Sequence, residues 1–342
     1  MSTNTIVVTH WIHPEVIDLL QPHGQLVLNQ SRGTLPTEEL MHRLKQAHAM
    51  MAFMPDKVDD AFLQQCPNLK VVGAALKGYD NFDVEACTRH NVWFTIVPDL
   101  LTNPTAELAI GLMLSLARNI GPGDQWVRSG DFQGWLPIHY GSGLDGATVG
   151  LLGMGRVGQA ITRRLSGFGA RLLFHDPRSV TVDVDSNLKV QAAFMEEVLS
   201  HSDFIICAVP LNSQTKHLIN SRTIVRMKRG SYLINIGRGS TVDEQAVAEA
   251  LDIGHLAGYA ADVFEMEDWA LEDRPRFIHP SLLAHHDRTI FTPHLGSAVD
   301  SVRKAIAMEA GRNIIQALTG ETPQGAVNHI KDCNKGMAIE LY

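Results

Sequence analysis

The stretch Thr148–Asp176, TVGLLGMGRVGQAITRRLSGFGARLLFHD, constrains this chain more than any other. It reads as strand, glycine turn, helix, strand and acid. Thr148–Leu152 is an apolar run suited to a buried parallel strand. Gly153, Gly155 and Gly158 follow as G-x-G-x-x-G. A helix is predicted from about Arg156 to Phe168, with Val157, Ala160, Ile161 and Leu165 on one face and Gly169 ending it. Arg171–His175 is the second strand, and Asp176 stands at its end, 18 residues past Gly158.

Each glycine has a mechanical job. Gly153 permits the tight turn, Gly155 lets the backbone approach a pyrophosphate, and Gly158 lets the helix pack close on the sheet. The free N–H groups and the positive end of the helix dipole then face the phosphates. Asp176 can accept hydrogen bonds from both ribose hydroxyls, and its charge repels a 2′-phosphate. The cofactor expected is therefore NAD rather than NADP, a preference that Arg178 weakens, since an Arg accommodates the extra phosphate.

At 342 residues the chain is long enough for two domains. The net charge of −8 argues against a nucleic-acid surface. Cys66, Cys87, Cys207 and Cys333 form no C-x-x-C pair and no metal spacing, and read as reduced thiols of a cytoplasmic protein. The N-terminus lacks the basic and apolar regions of a signal peptide, and the apolar run Leu108–Ala117 is too short to span a bilayer. Neither a membrane nor a metal is expected as a partner.

Residues 6–98 alternate strand and helix. The strands expected are Ile6–Thr9, Leu26–Leu28, Met50–Met54, Val71–Leu76 and Val92–Val97, with helices at Pro14–Gln21, Thr37–Gln46, Asp59–Cys66 and Val84–His90. Such alternation predicts a doubly wound parallel sheet, flavodoxin-like, covered on both faces. Leu101–Arg118 is a helix apolar on nearly every side, and so is buried inside the chain, between domains or against a second subunit. An irregular aromatic stretch, Trp126 to Gly143, follows. Residues 145–295 carry a second α/β unit, of Rossmann type, with further strands near Phe204–Val209, Ser231–Asn235, Leu256–Ala260 and Thr289–Phe291. Its helices fit Met195–Ser200, Ser221–Met227 and Asp243–Leu251. A last helix runs from about Val299 to Leu318. The fold class expected is α/β, two doubly wound parallel-sheet domains with an active-site cleft between them. The domains are 1–101 plus 297–330 for substrate, discontinuous, and 102–296 for NAD, with 331–342 a flexible tail.

Four strings carry the chemistry: Asn235-Ile-Gly-Arg-Gly-Ser240, Asp262-Val-Phe-Glu-Met-Glu-Asp268, Thr292-Pro-His-Leu-Gly296 and Leu76-Lys-Gly-Tyr-Asp-Asn-Phe-Asp83. In this order, after the glycine fingerprint, they resemble the D-isomer specific 2-hydroxyacid dehydrogenase family over about residues 6–325. The strings MMAFMPDKVD, ALKGYDNFDV, VPDLLTNPTAELAIGL, VRSGDFQGW, GYAADVFEMEDWA and FTPHLGSAV resemble its phosphite-oxidising (phosphonate dehydrogenase) branch. That resemblance implies Arg238 as the grip on an anionic substrate, His294 as the proton exchanger, Glu267 as the holder of the imidazole and Lys77 as a further catalytic cation. It implies Met54, Gly78, Trp135, Tyr140, Ser297 and Arg303 as substrate pocket. Cofactor contacts extend by the same resemblance from the fingerprint to Arg156, Val157, Pro177, Pro210, Asp262 and Glu107. It also implies a homodimer.

Physical chemistry points the same way. An Arg between Gly237 and Gly239 leaves its planar fork open to an oxyanion, although Gly237 loosens the loop. Glu267 near His294 would stabilise an imidazolium and so strengthen the base. Glu265 reads as a solvated neighbour, His285-His286 as a solvated turn, and Asp268, Glu272 and Asp273 with Arg274 and Arg276 as a charged loop. Met50 and Met51 read as core. Arg238, Lys77 and Arg303 offer more charge than a monoanion needs. The expected reaction is oxidation of phosphite to phosphate, with water as nucleophile and NAD as hydride acceptor. The rival is oxidation of an organic 2-hydroxy acid on the same scaffold; a dinucleotide-sensing protein without turnover is a third reading. Formate is disfavoured, because formate dehydrogenases of this scaffold resemble a pattern with Gln where Glu267 stands.

Overall fold

The computed structural model describes residues 4–180 and 190–330; the predicted tail 331–342, with Cys333, lies outside the described residues. Contacts divide the chain into two units. One comprises residues up to Leu100 together with those from Val299 onward; the other is Leu101–Ala298.

The first unit is built on strands β1 (Thr5–Val8), β2 (Gln25–Leu28), β3 (Ala49–Ala52), β4 (Val71–Ala74) and β5 (Trp93–Thr95). All pair in parallel in the order β2-β1-β3-β4-β5. β3 and β4 are buried at every residue, so both read as continuous apolar runs without alternation. Asp59 and Asp83 start the helices Asp60–Gln64 and Val84–Arg89 by accepting hydrogen bonds from the Phe62 and Ala86 N–H groups. The long helix Asp300–Thr319 packs on β3 and β4 and ends at Gly320. The order places a switch point between β1 and β3, where the chain leaves the sheet in opposite directions and a crevice opens at the strand ends.

The second unit contains β6 (Thr148–Leu152), β7 (Arg171–His175), β8 (Val190–Ala192), β9 (Phe204–Cys207), β10 (Ser231–Asn235), β11 (Leu256–Ala261) and β12 (Thr289–Phe291). They form one parallel sheet in the order β12-β11-β10-β9-β6-β7-β8, with its switch point between β6 and β9. The apolar helix Thr102–Ala117 packs on the helix Arg156–Leu165 and on β10, β11 and β12 of its own unit, which accounts for much of its buried surface.

The structure differs from expectation where glycine and proline mask a helix. Ile120–Ser129 is helical and includes Trp126, although it carries Gly121, Pro122 and Gly123 in its first turn. Proline is tolerated there because those N–H groups lack helical partners anyway. The helix expected to reach Phe168 is α-helical only to Leu165 and tightens to a 3-10 turn over Ser166–Phe168. β8 and the helix Pro280–Ala284 were not anticipated; each is too short to show periodicity. Among the described residues no helix is long and apolar enough to cross a membrane.

Candidate active site

The nucleotide end forms where β6 meets its helix. Gly153 has φ 95°, and a Cβ there would lie 2.8 Å from the Ala208 carbonyl oxygen, so the turn demands glycine. A Cβ on Gly158 would collide with the Gly153 carbonyl oxygen. The position of Gly155 is different: the nearest atom to a Cβ would be Arg178 Nη2 at 3.9 Å. Space is therefore left directly before the helix, whose N-cap is Gly155 and which no side chain caps. Arg156 is exposed and Val157 half-buried in its first turn. An uncapped helix end behind an open glycine fits a diphosphate.

Asp176 directly follows β7, with its side chain only 3% exposed. Its carboxylate accepts from the Met154 N–H at 2.9 Å and the Arg178 N–H at 3.0 Å, and pairs with the Arg178 guanidinium through two contacts of 3.0 Å. The Arg178 guanidinium and these N–H groups hold its pKa down at about 2. The acid is thus charged and held in place, and Arg178 shares it. Pro177 is exposed beside it. Pro210, beyond β9, offers its carbonyl to Thr215 Oγ1 at 2.6 Å, and Glu107 pairs on the surface with Arg164 at 3.1 Å.

Arg238 follows β10 and is half-buried. Its carbonyl accepts from Asn235 Nδ2 at 2.9 Å and from Thr241 Oγ1 at 2.6 Å. Asn235 Oδ1 takes the Gly237 N–H at 3.1 Å. Gly237 does not loosen this loop. A Cβ there would stand 2.5 Å from the Val209 carbonyl oxygen, and one on Gly239 would collide with the Phe264 backbone. The two glycines let the loop press onto its neighbours, which steadies Arg238.

His294 lies after β12 with φ 57°, an uncommon conformation for histidine. Its N–H donates to the Asp262 carbonyl at 2.9 Å, and its Nδ1 meets Glu267 Oε2 at 2.8 Å. The other Glu267 oxygen accepts from the Phe264 N–H at 2.7 Å. A carboxylate at Nδ1 fixes the proton there and leaves Nε2 as the base. Asp262 is buried, accepting from Thr292 Oγ1 and the Leu295 N–H at 2.6 Å each and from the Gly296 N–H at 2.8 Å. Burial pushes its pKa up against these bonds. It shapes the loop that carries His294, a role its position after β11 did not disclose.

The acids nearby sort differently from expectation. Glu265 is not a solvated neighbour: it accepts from the Glu244 N–H at 3.0 Å and meets His217 Nε2 at 2.9 Å. Glu244, itself buried, accepts from the Glu265 N–H in return. Asp268 is 1% exposed and takes the Ser240 N–H at 2.6 Å, so it does not belong to a charged surface loop. Asp273 does, paired with Lys216. His285 pairs with Asp252 at 3.0 Å. Among the described residues no group of three or more His, Cys, Asp and Glu is placed to hold a metal ion.

In the first unit, Lys77 and Gly78 follow β4, half-buried and exposed respectively. Met54 follows β3, half-buried, with its carbonyl accepting from Asn81 Nδ2 at 2.8 Å. The Arg303 guanidinium stands 6.0 Å from the Phe53 ring, and the His10 ring meets the same Phe at 5.4 Å. Asp56 joins the ends of β1 and β3 here, accepting from Thr9 Oγ1 at 2.5 Å and from the Phe53 N–H at 2.7 Å; burial pushes its pKa up to about 6. His10 and Asp56 were not singled out, because nothing but their place at the switch point marks them. In the second unit Ser297 is half-buried beyond His294, whereas Trp135 and Tyr140 are 79% and 74% exposed on an irregular segment.

Residues 110–296 match the model of the D-isomer specific 2-hydroxyacid dehydrogenase NAD-binding domain. The chain is 36% identical to a glyoxylate reductase of Pyrococcus furiosus, covering 94% of this chain and 95% of that one. A solved structure from Thermus thermophilus is 32% identical with a TM-score of 0.85, covering 95% of this chain and all of the other. An NADPH-dependent glyoxylate/hydroxypyruvate reductase of Sinorhizobium meliloti, solved with NADP and malonate, is 29% identical with a TM-score of 0.78, over 95% and 97% of the two chains. With the glycine turn, the Arg238 loop and the His294–Glu267 pair all in place, the chain belongs to the D-isomer specific 2-hydroxyacid dehydrogenase family, and its second unit is an NAD-binding domain.

Proposed function

We propose that this oxidoreductase interconverts a small organic 2-hydroxy acid and its 2-keto acid, of the glyoxylate class, using NAD. The observation that carries the reading is the 2.8 Å contact between His294 Nδ1 and Glu267. Glu267 stabilises the imidazolium, and His294 Nε2 takes the hydroxyl proton in oxidation or returns it in reduction. Arg238 grips the carboxylate through its planar fork. Bound NAD supplies or accepts the hydride; the turn Gly153–Gly158 and Asp176 would hold it. The relatives named glyoxylate reductase favour this reading over phosphite. Asp176, anionic and nearly buried, supports NAD over NADP.

A second reading is supported by the cation inventory. Lys77 and Arg303 give the first unit more positive charge than a monocarboxylate needs, and the string around Lys77, ALKGYDNFDV, resembles the phosphite-oxidising branch. There, water deprotonated by His294 attacks phosphorus, the P–H bond breaks, its hydride reduces NAD, and phosphate and a proton leave.

One assay separates the two: NADH formation from NAD with phosphite, against NADH consumption with glyoxylate. Brisk glyoxylate reduction with no phosphite oxidation supports the first reading; the reverse supports the second; neither, with NADH still bound, points to a sensor. We further propose a homodimer, because Phe132, Trp135, Leu136, Ile138 and Tyr140 expose a contiguous apolar segment. Light scattering giving a single-chain mass would remove it.

A further inference from the structure

The structure assigns to Asp268 a positioning role: it ties the Arg238 loop to the turn that carries Glu267. This rests on the dehydrogenase reading and deepens it, since Asp268 touches neither substrate nor cofactor in our account but acts through Arg238.

Three observations carry it. Asp268 is 1% exposed, and its Oδ2 takes the N–H of Ser240 at 2.6 Å, two residues beyond Arg238. A buried carboxylate is expensive unless backbone donors meet it. Ser240 is the middle residue of the 3-10 turn Gly239–Thr241, whose N-cap is Arg238, so a pull on Ser240 is a pull on that turn. Lastly, Asp268 directly follows Glu267, whose Oε1 takes the Phe264 N–H while its Oε2 holds His294. Gly239 meanwhile presses on the Phe264 backbone. Residues 264–268 are therefore one joint: His294 hangs from it through Glu267, and the Arg238 loop is pinned to it through Gly239 and Ser240. Asn235 and Thr241 grip the Arg238 carbonyl from the other side. With Asp268 removed, the Ser240 N–H loses its acceptor, and the fork of Arg238 loses its fixed distance from His294.

The test is a double-mutant cycle of Asp268→Ala and Arg238→Lys, assayed with glyoxylate and NADH or with phosphite and NAD, whichever turns over. Asp268→Ala should raise KM for the anion about tenfold and leave KM for the dinucleotide within about twofold. Asp268→Asn, whose amide oxygen still accepts from Ser240, should recover most of that loss. On an Arg238→Lys background the Ala substitution should change KM by less than about twofold, because residues acting through one another are not additive. Equal effects on both backgrounds would make Asp268 a plain stability residue and overturn the proposal, as would an unchanged KM in a folded Asp268→Ala protein. If Asp268→Ala does not fold, Asp268→Ser takes its place in the cycle with the same expectation. If neither substrate turns over, the dehydrogenase reading fails by itself. Oxalate titrated into the NADH-loaded protein then reads the loop: binding weakened about tenfold by Asp268→Ala supports the positioning role, and unchanged binding overturns it.

Discussion

The two units hold their strand-end residues by different means. In the second unit, Asp262, Asp268 and Asn235 accept from backbone N–H groups of the loops bearing His294 and Arg238, and Glu267 accepts from the Phe264 N–H of its own turn. In the first unit, one buried carboxyl, Asp56, ties the ends of β1 and β3 together, and the Phe53 ring stands near both His10 and Arg303. Several acceptors on backbone N–H groups fix the orientation of a loop, which the proposed proton transfer needs. A single acid beside a ring defines charge more than angle. If the proposed roles hold, changes in the second unit should act on the chemistry and changes in the first on the choice of anion.

The comparison breaks most readily at His294. His294→Ala should lower kcat/KM by about 10²-fold or more, the scale of losing a general base; a smaller loss in steady-state assays would mean the fixed geometry serves something other than proton transfer.

Asp56 tests the other side through pH. Its folded pKa, about 6, lies above the ordinary carboxylate value, so the folded protein binds the proton more tightly than the unfolded chain. Its stabilising contribution is then full below about pH 4 and is lost as pH rises through about 6, a change of about 3 kcal/mol at most. Urea unfolding of wild type and Asp56→Asn at about pH 4 and about pH 7 should show the Asn protein gaining relative stability at the higher pH. Parallel curves would mean that Asp56 is not buried as a lone carboxyl.

Lys77→Ala should raise KM for phosphite about tenfold while changing KM for glyoxylate by less than about twofold, because only a dianion needs the additional cation. An equal rise for both anions would erase the proposed division of labour. The smallest effect expected is at the ribose site: Asp176→Ala should shift kcat/KM toward NADP over NAD by about fivefold to tenfold, as the repulsion of a 2′-phosphate is lost while Arg178 remains. An unchanged ratio would mean that Arg178 already neutralises the acid.

The parallel strands and the glycine turn could be read from local pattern, because apolar runs of four to six residues and a G-x-G-x-x-G after one of them admit few alternatives. His294, Glu267 and Arg238 stood out by motif. Ile120–Ser129 did not, since two glycines and a proline outweigh its helical propensity on paper. Glu265 and Asp268 read as solvated in sequence because a run of acids carries no sign of the backbone N–H groups that the fold brings beside them.

By itself the order of residues determined the parallel sheets, the dinucleotide turn and the residues of the His294–Glu267 pair, since each depends on neighbours in the chain or on a motif read in order. Tertiary structure alone decided that Gly237 tightens rather than loosens, that Asp268 takes the Ser240 N–H of the Arg238 turn, and that Asp56 joins the ends of β1 and β3 in the first sheet. Those outcomes depend on backbone groups brought together from distant parts of the chain, and a hydrogen bond of 2.6 Å or a collision with a missing Cβ has no signature until the fold has closed.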